Sequence, residues 1–544
     1  MNNTLILCLL GTILQSPAVL FFSGVSSAEE LDSGTVEKYE RIREHPVPIN
    51  EASRGRLLSC GLFTPYQAAS LLDYRERNGD ILSFSELALV DGIGEVMAGF
   101  LREYVSLASR NPPGTRRKEG WGGNARIRAS GSGWMGKLSV DRGGRAELNL
   151  NWKGGSGFNG SAAYYGRGCL DQLVLGSFNA RFGQGLILWN GLTFSGFSTT
   201  ESFCKKESGI SASNSTTPDL RGVAACFSFG KWEINAMGGI EAGKGKPNLT
   251  PAVNIGRRGR IWDAGFTVAA DSGNAVAGLG GRVHISRKEL FSELAWDFRG
   301  EAPAAVFGFR TDFAWETTFC ALARYYSPGF SGKWSSGARS STKTSDETGL
   351  AMGFGYKWLD ATLDAVWHPH KRSSQIKLLA SAKPEFHLKH GVLTTEFRAA
   401  ARLRPEDSYR LRTELRGELD WTSGVWKAHI RIDGVHCRET GILSYLEGGY
   451  VSESFATYLR AGIFRIDRWD DRIYVYERDV PGMFNVPAYY GRGWNASLVA
   501  GFKSRYRPGK CMHGLNLRLG YTGYAASQKK PAGFEWRAQY SFRF

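Results

Sequence analysis

The sequence predicts an all-β transmembrane barrel of antiparallel strands preceded by a small all-α domain, and three observations lead to this fold class. Apolar and polar side chains alternate along much of residues 121–544, as they do in strands with one wet face. Glycine accounts for 68 of the 544 residues and aromatic residues for 12%, a mixture typical of membrane barrels. The mean hydropathy of −0.28 excludes a helical membrane protein.

The first 28 residues have the features of an export signal. An apolar run over residues 5–22 is followed by Ser26, Ser27 and Ala28, small residues of the kind that precede a signal-peptidase site. A retained membrane anchor is the alternative, but the run is short for a spanning helix and Pro17 interrupts it. We therefore expect export and cleavage after Ala28.

Residues 29–110 are predicted to form a domain of short helices. Asn50 is expected to cap a helix over residues 51–59. Pro65 is expected to open the next helix and Gly79 to end it, because proline suits the first helical position and glycine the C-terminal cap. A tight turn at residues 91–94 then precedes a last helix.

Four short motifs within residues 49–105 carry a family resemblance: Ile49-Asn50, Tyr74-Arg75, Asn78-Gly79 and Gly92-Ile93-Gly94. With them the stretch resembles the tandem helix-hairpin-helix domain of the periplasmic competence DNA receptors. The resemblance implies that Gly92, Ile93 and Gly94 present backbone N–H groups to a DNA phosphate at a helix N-terminus, where the partial charge is positive.

The charge of the helical domain is opposite in sign to that of the rest of the chain. Residues 29–110 contain nine Lys or Arg and fourteen Asp or Glu, a net charge of −5; the whole chain has +16, which leaves +21 for residues 111–544. Nucleic-acid affinity depends on basic residues at phosphates, and residues 91–101 contain none. This balance favours docking of a periplasmic protein partner, with duplex DNA as the alternative.

Residues 111–120, NPPGTRRKEG, are predicted to form a linker because proline and glycine interrupt any regular pattern there. Their basic cluster, residues 116–118, either contacts anionic lipid head groups or is simply solvated.

Three consecutive segments show the strand pattern most clearly: residues 393–404, 409–421 and 426–433. One side of each is apolar and the other is densely charged, and such charge requires water or counter-charges, which a lumen provides. At about 10 residues per strand plus turns, residues 121–544 predict roughly 20 to 24 strands. A β-sandwich or a propeller is the alternative, although no propeller period is found.

The chain ends in FEWRAQYSFRF, residues 534–544, in which aromatic and polar residues alternate. A strand that ends on an aromatic residue resembles the closing strand of Gram-negative outer-membrane β-barrels, and residues 121–544 resemble a large barrel of that kind. The resemblance implies a place in the cell outer membrane, contact with its lipid and lipopolysaccharide, and residues 29–120 in the periplasm. Polar insertions near residues 205–218 and 331–348 are predicted to be loops outside the cell.

Six arginines are candidates for the lining or a constriction of the lumen. Two of them lie in a hexapeptide, AYYGRG, that occurs at residues 163–168 and 488–493, and a third lies in residues 179–186. Glycines beside an arginine allow a sharp turn that an aromatic pair can anchor; the alternative is that the motif is an interfacial aromatic pair at a strand-end turn, with no further role. The others occupy the polar side of predicted strands. The six are Arg167, Arg181, Arg492, Arg398, Arg402 and Arg412.

The sequence offers no defensible catalytic arrangement, because neither a nucleophile with a base nor a pair of acids occurs at a suitable spacing. His368 and His370 flank Pro369, which suits a turn better than a metal site, and no metal or cofactor is indicated. We predict a non-enzymatic envelope transport or assembly component whose helical domain docks a partner. The alternatives are a DNA-uptake protein that holds duplex at residues 92–94, and a passive anion-preferring porin.

Overall fold

The fold is described from a computed structural model of the chain. It covers residues 17–108, 120–142, 144–155, 157–166, 168–191, 196–241, 248–313, 316–407, 410–506, 511–528 and 531–544. Arg167 and the predicted linker, apart from Gly120, lie outside the described residues.

Twenty-four antiparallel strands form one closed barrel, as the sequence predicts. The first strand starts at Trp121, and its Asn124 pairs with Arg543 of the last strand, which closes the barrel. The strands are β1 (Trp121–Ser130), β2 (Gly133–Arg142), β3 (Ala146–Lys153), β4 (Gly157–Tyr165), β5 (Leu170–Arg181), β6 (Gly209–Ala212 and Leu220–Phe229), β7 (Trp232–Glu241), β8 (Leu249–Arg257), β9 (Trp262–Asp271), β10 (Asn274–Ile285), β11 (Lys288–Asp297), β12 (Ala302–Phe313), β13 (Thr317–Tyr326), β14 (Glu347–Tyr356), β15 (Leu359–His368), β16 (Ser373–Ala382 and Glu385–Leu388), β17 (Gly391–Leu403), β18 (Leu411–Ser423), β19 (Trp426–His436), β20 (Thr440–Val451), β21 (Phe455–Ile466), β22 (Gly491–Tyr506), β23 (Cys511–Tyr524) and β24 (Gly533–Arg543).

The two faces of the wall differ in the way that the alternation predicts. In β21 the side chains of Leu459 and Ile463 are 62% and 66% exposed, whereas Arg460 between them is 1% exposed. The same order holds in β18, where Leu411 and Leu415 face out. An apolar outer face is what a barrel surrounded by lipid requires. In the part of the chain that the structure describes, no helix is long and apolar enough to span a membrane.

The two ends of the barrel also differ. Trp121 and Arg543 lie at one end, which we call the terminal end, and the strands are joined there by short turns. Three long connections lie at the opposite end, at residues 182–208, 327–346 and 467–490.

Among the described residues, six α-helices precede the barrel, and we call residues 29–108 the helical segment. Pro65 opens the fourth helix and Gly79, with a φ of 84°, ends it, as predicted. Asn50 does not cap the third helix: its amide donates to the carbonyl groups of Ile81 and Leu107, and Ser53 takes the cap position. The helices are α1 (Pro17–Ser23), α2 (Ser33–Glu44), α3 (Arg54–Ser59), α4 (Pro65–Asn78), α5 (Phe84–Leu87) and α6 (Gly94–Leu101).

The helical segment lies inside the barrel, which differs from the expected domain in the periplasm. Its ion pairs reach inward-facing residues of β1, β2, β3, β7, β17, β18, β19 and β24, which are distributed around the circumference. Only a body within a closed barrel can contact all of these strands at once. The charged side chains of the lumen therefore meet counter-charges of the protein itself.

Two of the long connections also fold inward, which corrects the prediction of exposed loops near residues 205–218 and 331–348. Phe197 and Phe203 of the first connection and Phe330 of the second are buried in one apolar cluster with the inner wall. Lys205 donates a hydrogen bond to the carbonyl of Ser336, which ties the two connections together. Their polar residues are therefore held inside by the apolar residues beside them.

Helix α1 belongs to the predicted export signal and packs on the helical segment. Val19 and Phe22 are buried, and the Phe22 ring lies 5.6 Å from that of Tyr104. Cleavage after Ala28 stays a prediction; it would remove α1 and leave Glu29 as the first residue.

Candidate functional site

The candidate site is the interface between the helical segment and the inner wall. Glu37, Glu40 and Glu44 lie three and four residues apart, so one face of α2 is acidic. Lys137 of β2 lies 2.5 Å from Glu37, and Arg126 of β1 lies 3.2 Å from Glu40 and 3.3 Å from Glu44. The wall thus supplies cations where the helix supplies carboxylates.

Basic residues of α2 and α3 pair with carboxylates of the wall. Arg41 and Arg56 lie 3.5 and 3.1 Å from Glu147 of β3, and Arg54 lies 3.3 Å from Glu233 of β7. Glu147 and Glu233 are both buried. Because the polarity alternates around the lumen, the interface fixes the orientation of the segment as well as its position.

Two consecutive carboxylates near the start of the segment pair with three arginines of the wall, and we call this contact the acidic clamp. Glu29 lies between Arg416 and Arg431, at 3.1 Å from the first and also hydrogen-bonded to the second. Glu30 lies 2.6 Å from Arg398. The clamp reaches three adjacent strands, β17, β18 and β19, near mid-barrel.

The pKa values of these carboxyl groups show which contacts favour the charged form. Burial opposes ionisation of Glu29, but Arg416 and Arg431 hold its pKa well below the usual range. Burial likewise opposes ionisation of Glu30, and Arg398 and Lys377 overcome it, lowering the pKa of Glu30 to about 2. Burial raises the pKa of Glu40, because Arg126 compensates it only in part. The clamp is therefore more strongly ionic than the contact of Glu40.

The connection at residues 467–490 closes over the segment from the opposite end. The backbone N–H of Tyr476 donates to Glu29 (3.0 Å), and that of Gly482 donates to Glu40 (3.0 Å). The Tyr476 side chain is buried in the apolar core of the helices. Segment and connection therefore form one body in the lumen.

The predicted lumen arginines have three different outcomes. Arg398 belongs to the acidic clamp, and Arg181, Arg402 and Arg412 lie on strands β5, β17 and β18 as half-buried residues. Arg402 and Arg412 are Cα partners across two strands. Arg167 lies outside the described residues.

The prediction for Arg492 is wrong. It is exposed and makes a bidentate contact with Asp467, at 2.6 and 2.9 Å, on the face of β22 that also presents the 49% exposed Trp494. Residues two apart share a face of a strand, so Arg492 is on the outer side of the rim. The two AYYGRG copies lie at opposite ends of the barrel.

The predicted phosphate cradle lies at the terminal end of the lumen. Gly92 and Gly94 have φ values of 82° and 69°, and a side chain at Gly92 would begin 2.7 Å from the ring of Tyr66. Ile93 is buried. The close packing on Tyr66 thus accounts for Gly92 without a ligand, and the neighbouring carboxylates of Asp91 and Glu95 would repel a phosphate.

Residues 73–103, which we call the tip, expose a mixed apolar and acidic surface at the terminal end. Leu82, Leu89 and Val96 are 75%, 77% and 61% exposed. The tip contains seven carboxylates and three arginines. Its contacts with the barrel include Arg260, which lies 3.4 Å from Asp91.

One group of potential metal ligands occurs among the described residues, Glu418, Asp420 and His429. Both ring nitrogens of His429 are already engaged, one with Asp420 at 2.6 Å and the other with the hydroxyl of Tyr445 at 2.9 Å. Glu418 lies 3.3 Å from Arg431. These side chains satisfy one another without an ion.

No protein-family model and no curated protein matches this chain. Among solved structures, OprD from Pseudomonas aeruginosa is similar with a TM-score of 0.31 and 12% identity, over 58% of this chain and 91% of that one. OccK2 from the same organism has a TM-score of 0.31 and 8% identity, over 78% and 97%. An Escherichia coli P pilus tip assembly intermediate, PapC-PapD-PapK-PapG, is similar with a TM-score of 0.48 and 9% identity, over 81% of this chain and 63% of that one. The strand pairing of the chain itself defines the barrel.

Proposed function

We propose that the protein is an outer-membrane transport or assembly component whose helical segment is a plug, displaced when a periplasmic partner docks on the tip. The apolar outer face of the wall supports the membrane location. Short turns at the terminal end and long connections at the other match the usual orientation, with the terminal end in the periplasm.

The observation that supports the plug best is the ring of ion pairs between the segment and the wall. They join buried or half-buried side chains of both signs, as at Arg56 with Glu147 and Glu30 with Arg398. Removing one member of such a pair leaves an uncompensated buried charge, so the plug should stay in place unless something replaces these contacts.

The tip supports docking. Its exposed leucines and valine are surrounded by carboxylates, so a partner that presents apolar residues with Lys or Arg would be complementary to it. The tip lies at the terminal end, where a partner could pull on the plug without entering the lumen.

The two alternative functions agree less well with the structure. A passive porin requires a free passage, whereas the segment and the inward-folded connections occupy the lumen of the described chain. DNA uptake would use a surface whose nearest charges are carboxylates, and a gel-shift titration of the full chain with duplex DNA at low salt tests it directly.

Single-channel conductance in planar bilayers tests the plug. The unaltered protein should show no stable open steps, and the double variant Arg416→Ala/Arg431→Ala should show them, because Glu29 loses both cations. Arg492→Ala is the matched control, since it removes an arginine outside the lumen. An unaltered protein that conducts steadily, or a double variant as silent as the control, would refute the plug.

Docking is tested with a photocrosslinking residue at Leu89 in cells. A periplasmic protein should be captured there and not from position 459, which faces lipid on β21. Equal capture at both positions, or none at Leu89, would contradict docking.

A further inference from the structure

Two cavities, of about 620 and 410 Å³, lie between the plug, the wall and the inward-folded connections, and the smaller one is also bounded by residues 22–25 of the predicted export signal. Six residues line both of them, so the cavities meet beside the first turns of α2 and the end of β5. These residues are Leu31, Asp32, Thr35, Lys38, Arg181 and Ser208.

Six cations line the smaller cavity, and four of them surround its centre from three parts of the molecule: Lys38 of the plug, Arg181 of the wall, and Lys205 and Arg339 of the connections. The other two are Lys206 and Lys377. Among the described residues, none of the four has a carboxylate within the 4.0 Å limit of an ion pair. Arg181 donates to the carbonyl of Asn190, at 3.1 Å, and Arg339 donates to the hydroxyl of Ser336, at 2.6 Å. Lys205 and Arg181 also lie 4.5 and 5.7 Å from the centroid of the Trp189 ring, so the close contacts of these cations are dipoles and an aromatic face.

The carboxylates around the cavities are engaged elsewhere. Glu30 pairs with Arg398, and Glu201 lies 2.7 Å from Arg310. Asp32 accepts hydrogen bonds from the N–H groups that begin α2, and Asp219 accepts one from the N–H of Gly191, at 2.7 Å. Asp32 and Asp219 compensate the charge of Arg181 in part, and an anion placed between the four cations would add to that compensation.

The pKa values reflect this arrangement. Burial, with Arg181 nearby, lowers the pKa of Lys38 to about 8. Burial, together with Arg339 and Arg181, holds the pKa of Lys205 well below its usual range. An anion placed among these groups would relieve both the loss of water and the mutual repulsion.

We propose that Lys38, Arg181, Lys205 and Arg339 form a binding site for a small solute with two or more anionic groups, such as a diphosphate or a polycarboxylate. The inference rests on the proposed plug and adds the class of solute that the protein holds or transports. Two guanidinium groups match the planar oxygen pairs of carboxylate and phosphate, while the ammonium groups add charge without fixed geometry.

The size and lining of the space favour a free solute over a lipid. Volumes of roughly 300–1,000 Å³ are those of ordinary small-ligand pockets. A lipid phosphate would bring acyl chains into the charged lumen, whereas the apolar face for such chains is on the outside of the wall. The site also draws on both plug and wall, so displacement of the plug would divide it and release the solute.

Isothermal titration calorimetry on the full chain in an uncharged detergent tests the site, with pyrophosphate and citrate as probes at constant ionic strength. At least one probe should bind saturably with one site per chain. The double variant Lys38→Gln/Arg181→Gln should weaken that binding by about tenfold or more, because it removes two charge-assisted hydrogen bonds to the anion.

Three further variants make the result specific. Lys38→Arg should retain most of the affinity, and Lys333→Gln, which removes an exposed cation paired with Glu241, should leave it unchanged. Lys205→Gln/Arg339→Gln tests the site from the connections if the first double variant does not fold. Unsaturable heats, or equal affinity in both double variants and the unaltered protein, would overturn the proposal. Steady conductance of the unaltered protein together with no saturable binding would refute the plug, whereas a silent protein that binds neither probe would overturn the anion site alone.

Discussion

The first and last parts of the helical segment are both rich in charge, yet they use it differently. In residues 29–56, carboxylates and arginines meet buried counter-charges on the wall, as Glu29 and Arg56 do. In the tip, the pairs Asp73–Arg77 and Asp91–Arg260 are open to solvent: the Asp73 and Arg77 side chains are 30% and 66% exposed, and those of Asp91 and Arg260 are 60% and 43% exposed.

The difference teaches that the same residue types anchor a segment in one place and leave it available in another. A buried pair is costly to break because the remaining charge has lost its water, whereas an exposed pair contributes only about 0–1 kcal/mol. The anchored part should therefore hold the plug, and the tip should be free to exchange its contacts for those of a partner.

The largest expected effect comes from the acidic clamp. In Arg416→Ala/Arg431→Ala, Glu29 keeps its burial and loses both cations, so opening of the anchored part should become easier by about 3–5 kcal/mol. Hydrogen exchange of residues 29–63, followed by mass spectrometry, measures this directly. Arg492→Ala should leave the exchange unchanged; protection that survives in the double variant would show that the clamp does not hold the plug.

Acid should act on the same contact with a defined sign. Arg398 and Lys377 overcome burial and lower the pKa of Glu30 from its usual 4.5 to about 2, so its stabilisation is complete above pH 4.5 and is lost as the pH falls towards 2. This loss amounts to about 3 kcal/mol. Glu40, whose pKa is raised, acts oppositely, since its protonation relieves a buried charge.

The protection factors of the anchored part, measured from pH 6 down to 2.5 with the intrinsic pH dependence of amide exchange divided out, should therefore fall mainly below pH 4.5. In Glu30→Gln this acid dependence should be reduced. An equal pH profile in the two proteins would exclude Glu30 as the group responsible.

Much of the barrel was predictable from the sequence, because alternation with a period of two determines which residues face outward. The start at Trp121 and the strands within residues 393–433 follow from it. The outer position of Arg492 could have been found in the same way, since Trp494 lies two residues further on. The glycines on either side of Arg492 instead favour a turn.

The filled lumen was not predictable from alternation, since a polar face is satisfied equally by water and by a charged protein surface. A signal was present in the charges: −5 for residues 29–110 against +21 for residues 111–544. Opposite charge on two parts of one chain favours their association. The partners of individual residues, such as Arg56 with Glu147, depend on the closure of the barrel and have no local pattern.

A smaller effect is expected where the tip touches the barrel. Arg260→Ala removes the contacts with Asp73 and Asp91, which are exposed, so the protection of residues 73–103 should fall by less than about 1 kcal/mol. The matched comparison is Arg54→Ala, which leaves the buried Glu233 without one of its two arginines. This variant should lower the protection of the anchored part by more than Arg260→Ala lowers that of the tip. An equal loss of protection in the two variants would remove the distinction between an anchored and a free part.

The smallest effect on stability should come from the exposed apolar residues of the tip. Leu82→Ser, Leu89→Ser and Val96→Ser together should change the free energy of unfolding by about 0.5 kcal/mol or less per site, because these side chains already lie in water. The same change should abolish capture of a periplasmic partner, provided that the crosslinking residue is placed at Ser85 beside the patch. Leu87→Ser, a fully buried site two residues away, should instead destabilise the plug by several kcal/mol. If the triple variant unfolds like Leu87→Ser, the patch is part of the core; if it is stable and still captures the partner, docking uses another surface.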